Sequence, residues 1–222
     1  MSPRLDPSLI PDTPDLKMEG SFWRVGYRHI AGIDEAGRGA LAGPVAAAAV
    51  IMKPDGKTTH KLKGLKDSKE LTVSQRNTWF HCIQEVAWDW GIGFASPQEI
   101  DMLGIVPATR LAAWRALETL KIQPDHLLLD YLFVPDFPNP QTSLMKGDQR
   151  SLSIAGASVL AKVARDAHLC DLDAHYPEYG FAANKGYGTR AHREAIDRFG
   201  PSPVHRLSFA PMRTFNSQHQ GG

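Results

Sequence analysis

Little in this chain advertises a cofactor, a staple or a membrane. Its 222 residues include only two cysteines, Cys82 and Cys170, and neither has the CxxC partner that a zinc or redox site needs. Both fall in stretches that read as amphipathic helices, so buried, reduced thiols are expected, in keeping with a cytoplasmic location. The nine histidines are scattered, with no HExxH pair. A formal net charge of +1 means that no global basic field marks a nucleic-acid partner, although a local basic groove can still hold a polyanion. The opening MSPRLDPSLIPDTPDLKMEG carries four prolines and no apolar core of signal-peptide length, so it is neither a secretion signal nor a membrane anchor. Residues 1–22 read as a flexible arm and 214–222 as a disordered tail. No internal repeat is visible, and monomer is the default expectation.

What is present is a succession of short strands and amphipathic helices. YRHIAGID, residues 27–34, reads as a strand ending on acids; in GPVAAAAVIM, Pro44 and the closing Val-Ile favour a second strand, while the alanines leave a helix open. KPDG, residues 53–56, is a turn signal expected to lead into another strand. A helix is predicted from about Val73 to Glu85, capped by Thr72 or Ser74, followed by a strand in AWDWGIGFAS. A short helix then precedes a long one, whose Leu111, Trp114, Leu117 and Leu120 repeat at helical spacing and read as core. DHLLLDYL, residues 125–132, is a buried strand with Asp130 near its end, and TSLMKGD is a candidate for another. A long helix follows, with a small-residue face at Ile154, Ala157, Ala161 and Ala164. Beyond Tyr176 the chain is loop-rich, with one helix near Thr189 to Phe199. This order predicts an α/β fold with a mixed sheet and a helical C-terminal portion.

One segment raises a chemical problem. AGIDEAGRGALAGPV, residues 31–45, places Asp34 and Glu35 directly before Gly37-Arg38-Gly39. Gly37, Gly39 and Gly43 after a strand resemble a dinucleotide-binding fingerprint, and Asp55 supplies an acid at the right distance. That reading fails on length: residues 40–52 must then hold a whole crossover helix and a strand, whereas the crossover alone takes about a dozen residues. Pro44 falls inside the required helix, and two acids would face the pyrophosphate unneutralised. A nicotinamide or other nucleotide cofactor is therefore not expected.

The acids make sense if a cation stands between them and a phosphate. Mg²⁺ takes oxygen ligands, and one or two carboxylates plus substrate phosphate typically hold it. The candidates are Asp34 and Glu35 at the end of the first strand, Asp130 near the end of another, and Asp148 in KGD before the long helix. Each taken singly has a plainer reading as turn former, strand cap or helix N-terminal acid.

GIDEAGRGALAGPVAAAAV, LKDSKELT, MKGDQRSLSIAGASVLAKVARD, YGFAANKGYGT and HRLSFAP, in that order from about residue 27 to 212, together resemble ribonuclease HII. The Gly-Arg-Gly form of the first block separates it from the related type 3 enzymes. The resemblance implies a ribonuclease H-like α/β fold over residues 23–175, with a mixed central sheet flanked by helices. A C-terminal helical extension over 176–213 is implied to pack on it. It further implies an endonuclease that hydrolyses the RNA strand of RNA–DNA hybrids, cuts at single ribonucleotides embedded in duplex DNA, and leaves 5′-phosphate and 3′-hydroxyl ends. The alternative is a catalytically silent hybrid-binding module.

Carried over residue by residue, the resemblance places catalytic, metal-ligating carboxylates at Asp34, Glu35, Asp130 and Asp148, serving two Mg²⁺ or Mn²⁺ ions. It places Gly37, Arg38 and Gly39 on the nucleotide that bears the 2′-hydroxyl, Tyr187 against a sugar on the DNA side of the junction, and Lys69 and Lys185 on phosphates. Glu35 presents a geometric difficulty, because neighbours on a regular strand point to opposite faces. Three positions depart from the family pattern: Tyr131 stands where glycine is usual, Asn184 where histidine is common, and Gly156 where alanine is usual.

Overall fold

The computed structural model describes residues 10–66 and 68–212. In chain order the elements are α1 (Lys17–Arg24), β1 (Ile30–Ala36), β2 (Val45–Ile51), α2 (Gly56–Lys61), α3 (Val73–Val86), β3 (Asp89–Ala95), α4 (Pro97–Leu103), α5 (Ile105–Glu118), β4 (His126–Asp130), β5 (Gln141–Leu144), α6 (Leu152–His175), α7 (Phe181–Asn184) and α8 (Arg190–Phe199). The strands form one mixed sheet in the order β3-β2-β1-β4-β5. β1, β2 and β3 pair antiparallel, whereas β4 joins β1 and β5 joins β4 in parallel.

The sheet is covered on both faces, which explains why all seven residues of β2, VAAAAVI, are buried. On one face Ala31, Ile33, Val45, Ala47 and Ala49 pack against Ala108, Ala112, Ala113 and Ala116 of α5. On the other, Ala48 and Val50 meet Ala155, Ala157 and Ala161 of α6, which is backed by Ile83 and Val86 of α3. Small side chains on both partners let helix and sheet approach closely. The Leu111–Leu120 stripe is core only in part, since Leu117 and Leu120 are buried while Leu111 and Trp114 are half-buried at the margin of the alanine contact. The small face of α6 holds at Ile154, Ala157 and Ala161, with Ala164 half-exposed.

Local chemistry sets the helix starts. Thr72 and Gln75 form a capping box on α3, as do Ser96 and Glu99 on α4. Glu99 also receives a forked contact from Arg115 of α5 at 2.9 and 2.7 Å, which with the cap holds its carboxyl down to about 2.

Three expectations are corrected. KPDG does not lead into a strand: the Asp55 carboxylate accepts the Thr58 N–H at 2.7 Å and caps α2 instead. The arm expected over 1–22 is packed from residue 10 onward, residues 1–9 lying outside the described part. There α1 buries Glu19, whose carboxylate accepts the Ser151 hydroxyl and Ser153 N–H at the start of α6, while Phe22 and Trp23 cover Ile30 and Leu128. The prolines of the arm had masked this short amphipathic turn. The thiols are not buried either: Cys82 is half-buried and Cys170 exposed.

The C-terminal segment closes over the glycine-rich loop. Tyr179, Phe181, Ile196 and Met212 form a small core with Leu41, Ala42 and Leu169. The tail expected at 214–222 lies outside the described residues.

Candidate active site

Parallel pairing brings two of the acids together. Ile33 of β1 stands opposite Leu129 of β4, so one residue further on Asp34 and Asp130 lie side by side at the carboxyl ends of their strands. The third acid, Asp148, sits in the 3-10 turn Gly147–Gln149 that joins β5 to α6. That turn is fixed to the strand ends, because the Gly147 N–H donates to Asp130 Oδ1 at 2.9 Å. The start of α6 in turn lies directly on β1 at Gly32, where an added Cβ would fall inside the backbone of Ser153 and Ile154. Asp34, Asp130 and Asp148 consequently each present a carboxylate oxygen within 4.8 Å of the other two.

Such a cluster is costly without a cation. Asp34 is 6 % exposed and Asp148 4 % exposed. Burial, and then the charges of Glu35 and Asp130, push the Asp34 carboxyl well above the usual range, against the lowering effect of hydrogen bonds from Ser158 and the Glu35 N–H. The partial compensation comes from Lys69, whose ammonium stands 3.9 Å from Asp148 Oδ2.

Glu35 stands beside this set rather than within it, as its place on the strand requires. Its Oε1 meets Arg38 Nη1 at 3.1 Å, while Oε2 is buried with no hydrogen-bond partner. Burial raises its carboxyl and Arg38 offsets part of the effect. An orphaned carboxylate oxygen next to three converging ones, all hard oxygen donors, is a donor set that fits divalent Mg²⁺ or Mn²⁺.

Beside the acids lies a cavity of about 520 Å³, lined by Glu35, Ala36, Gly37, Arg38, Ser68, Lys69, Lys162 and Tyr187. The loop on its wall is held from behind by buried guanidinium groups. Arg165 of α6 donates to the carbonyls of Pro44, Lys185 and Ala42 at 2.8, 2.9 and 3.1 Å, and Arg206 to those of Gly43 and Arg38 at 3.0 and 2.9 Å. Gly37 has φ +91°, and a Cβ there would land on Arg165 Nε, so both conformation and space demand glycine. The carbonyls of residues 37 and 38 are engaged, by the Ala40 N–H and by Arg206. Among the described residues no acceptor meets the N–H groups of Arg38 and Gly39, both exposed. The loop thus offers donors outward to an anion or hydroxyl.

Of the residues singled out in the sequence, Asp34, Asp130 and Asp148 converge. Glu35, Gly37, Arg38, Lys69 and Tyr187 line the adjoining cavity, and Gly39 follows on the same loop. Lys185 does not reach the cavity lining. In left-handed conformation at the end of α7, it turns its ammonium to Cys170 Sγ at 2.9 Å and the Ala182 carbonyl at 2.6 Å. Its carbonyl accepts from Arg165. Tyr131 takes φ +57°, the conformation glycine prefers, which accounts for the family's usual residue there. Sequence reasoning missed Lys162 and Ser68 in the lining, Ser158 on Asp34, and the arginine frame. The only signal was their place inside the ASVLAKVARD, DSKEL and HRLSF blocks.

Residues 31–212 match the family described as Ribonuclease HII. Among curated relatives, the ribonuclease HII of Desulfitobacterium hafniense is 53 % identical over 198 residues, covering 89 % of this chain and 75 % of the relative. That of Syntrophotalea carbinolica is 52 % identical over 204 residues, covering 92 % and 96 %. The structure of the ribonuclease H2 from Pyrococcus horikoshii OT3 superposes with a TM-score of 0.72 at 25 % identity, covering 87 % of this chain and all of that one. The sheet order and flanking helices are those of the ribonuclease H-like fold.

Proposed function

Because this chain belongs to the ribonuclease HII family, endonucleolytic hydrolases of the RNA strand in RNA–DNA hybrids, we propose that it also cuts at single ribonucleotides embedded in duplex DNA and depends on two divalent ions, Mg²⁺ or Mn²⁺, to do so. The products are a 5′-phosphate and a 3′-hydroxyl. The observation that carries this reading is the convergence of Asp34, Asp130 and Asp148 within 4.8 Å. When bound, such ions supply a metal-activated water and stabilise the leaving oxygen. Little covalent work falls to the protein; its residues position the substrate and manage charge.

In this reading residues 23–175 carry the chemistry and 176–213 complete the substrate groove. Asp34, whose carboxyl is pushed well above its usual range by burial and by Glu35 and Asp130, would be the ligand shared by both ions, and Asp130 and Asp148 would complete one site each. Glu35 contributes through its unpartnered Oε2. The free N–H groups of Arg38 and Gly39 approach the 2′-hydroxyl, the group that distinguishes RNA from DNA at a given site. Tyr187, 37 % exposed on the cavity wall, lies against the neighbouring sugar, and Lys69 and Lys162 face phosphates. No helix among the described residues is long and apolar enough to cross a membrane. We assign the chain to the cytoplasm, acting as a monomer on hybrids and ribonucleotide-containing duplexes.

The deciding experiment uses a DNA duplex with one internal ribonucleotide, with and without Mg²⁺. The parent nicks it only with metal, and Asp34→Asn binds without nicking. Binding without scission by the parent identifies a silent hybrid-binding module instead, and turnover by Asp34→Asn removes the ligand role.

A further inference from the structure

Two histidines lie buried in the C-terminal extension, away from the acids, and the reaction as described makes no use of them. His192 of α8 is fully buried and His205 is 1 % exposed. Their rings sit among Tyr179 and Phe181, and their Nε2 atoms are 3.0 Å apart. The ends of this pair fix where every proton resides. His205 Nδ1 meets the Ser202 hydroxyl at 2.8 Å, which can donate or accept, and the Ser202 backbone N–H at 2.9 Å, which can only donate. The backbone donor therefore leaves the lone pair on Nδ1 and the hydrogen on Nε2. His205 Nε2–H then donates to His192 Nε2. His192 is left with its hydrogen on Nδ1, which meets the Tyr187 carbonyl, a pure acceptor, at 2.9 Å. One neutral tautomer at each ring satisfies the whole chain.

One end of the chain is on the cavity wall at Tyr187, and the backbone beside the other joins the glycine loop. His205 pairs as an isolated antiparallel bridge with Ala42, and the next residue's N–H donates to the Leu41 carbonyl at 2.9 Å, on the loop that carries Arg38 and Gly39. The other end is Tyr187 itself, whose ring stands over Arg165 and Lys162 at 5.4 and 5.5 Å. We infer that His192, braced by His205, is a positioning residue that sets the spacing between the glycine loop and the Tyr187 ring. It thereby governs recognition of an isolated ribonucleotide more than of a long hybrid. A single ribonucleotide offers one 2′-hydroxyl, so loop and ring must engage adjacent sugars together. A continuous hybrid offers many registers and tolerates a displaced ring. This rests on the role proposed above for Tyr187.

Two variants divide the chain at its midpoint. His192→Asn keeps an amide donor where Nδ1 meets Tyr187 and gives up the contact to His205. His192→Gln extends to His205 and withdraws the donor from Tyr187. A purely structural pair loses comparable stability and activity either way. The positioning role requires kcat/KM at a single embedded ribonucleotide to fall about tenfold further in the glutamine variant than in the asparagine variant, the worth of roughly one buried hydrogen bond. The gap on a long hybrid should be clearly smaller. In protein carrying ring-labelled tyrosine, the Tyr187 signal, identified by its loss in Tyr187→Phe, should move in the glutamine variant and hold in the asparagine one. Equal losses on both substrates, or a Tyr187 signal indifferent to His192→Gln, overturn the inference. Should the variants fold poorly, nitrogen spectra of the parent's imidazoles still decide it: the proton belongs on Nδ1 of His192 and Nε2 of His205, and the opposite tautomer at either ring refutes the chain. A parent inactive on both substrates would overturn the proposed function alone, because the tautomers and the Tyr187 signal are read without turnover.

Discussion

Asp34 holds a carboxyl in a place that favours its neutral form, since burial and the neighbouring charges of Glu35 and Asp130 all oppose ionisation. Its folded value lies above its unfolded one, so ionisation at neutral pH weakens the fold, and stability returns as pH falls through the raised value. Asp34→Asn therefore abolishes cutting while raising the metal-free melting temperature; a lowered one would show that repulsion does not dominate there. Tyr131 makes a smaller, independent case. At φ +57° and 71 % exposed, it carries left-handed strain with few contacts in return. Tyr131→Gly should stabilise by about 1 kcal/mol in urea unfolding, and a net loss would mean that the ring supports the Asp130 turn. Lys69, 77 % exposed in its side chain beside Asp148, tests the substrate path. Lys69→Ala should reduce the slope of log binding constant against log salt by about 1, and an unaltered slope would place it off the phosphates.

The contact between α6 and β1 is what turns separate acids into a site. Gly32 permits the α6 backbone to rest on the strand, and that contact fixes the turn carrying Asp148 relative to Asp34. Gly32→Ala should cost about 1–3 kcal/mol by overpacking and depress kcat/KM beyond what the lost stability explains. Full activity at reduced stability would show that Asp148 is placed by other contacts. Between α8 and the segment around residue 205, burial depresses both imidazoles, His205 to about 4. Below its ordinary value near 6.5 the unfolded chain takes up the proton first, so stability present at neutral pH is lost as pH falls from about 6.5 toward 4. For His205 the loss is on the order of 3 kcal/mol. It is best read in Asp34→Asn, because protonation of the acid cluster acts in the opposite direction. A flat melting temperature over that window would contradict the neutral pair.

For the molecule as a whole, divalent ions should bind the folded chain far better than the unfolded one, because only folding assembles the carboxylates. Mg²⁺ should raise the melting temperature of the parent and leave that of Asp34→Asn unmoved. Much of the fold was readable from pattern. The alanine-rich β2, the capped α3 and the long α6 follow from periodicity and caps, which act within a few residues. Strand-end acids were recognisable because an ionised side chain at the end of an apolar run has no ordinary place in a core. Composition misread the first helix and the thiols, since burial depends on what packs above a segment and not on the segment alone. The sequence by itself thus determined most of the strands and helices and which acids were available, since these follow from local sterics and charge. Tertiary structure alone decided that residues 34, 130 and 148 meet. It also decided that the carbonyls of the loop are taken from behind by Arg165 and Arg206, and that two distant histidines share one proton arrangement. Those facts depend on parallel register and close helix-to-sheet approach, which bring together groups that no short-range pattern relates.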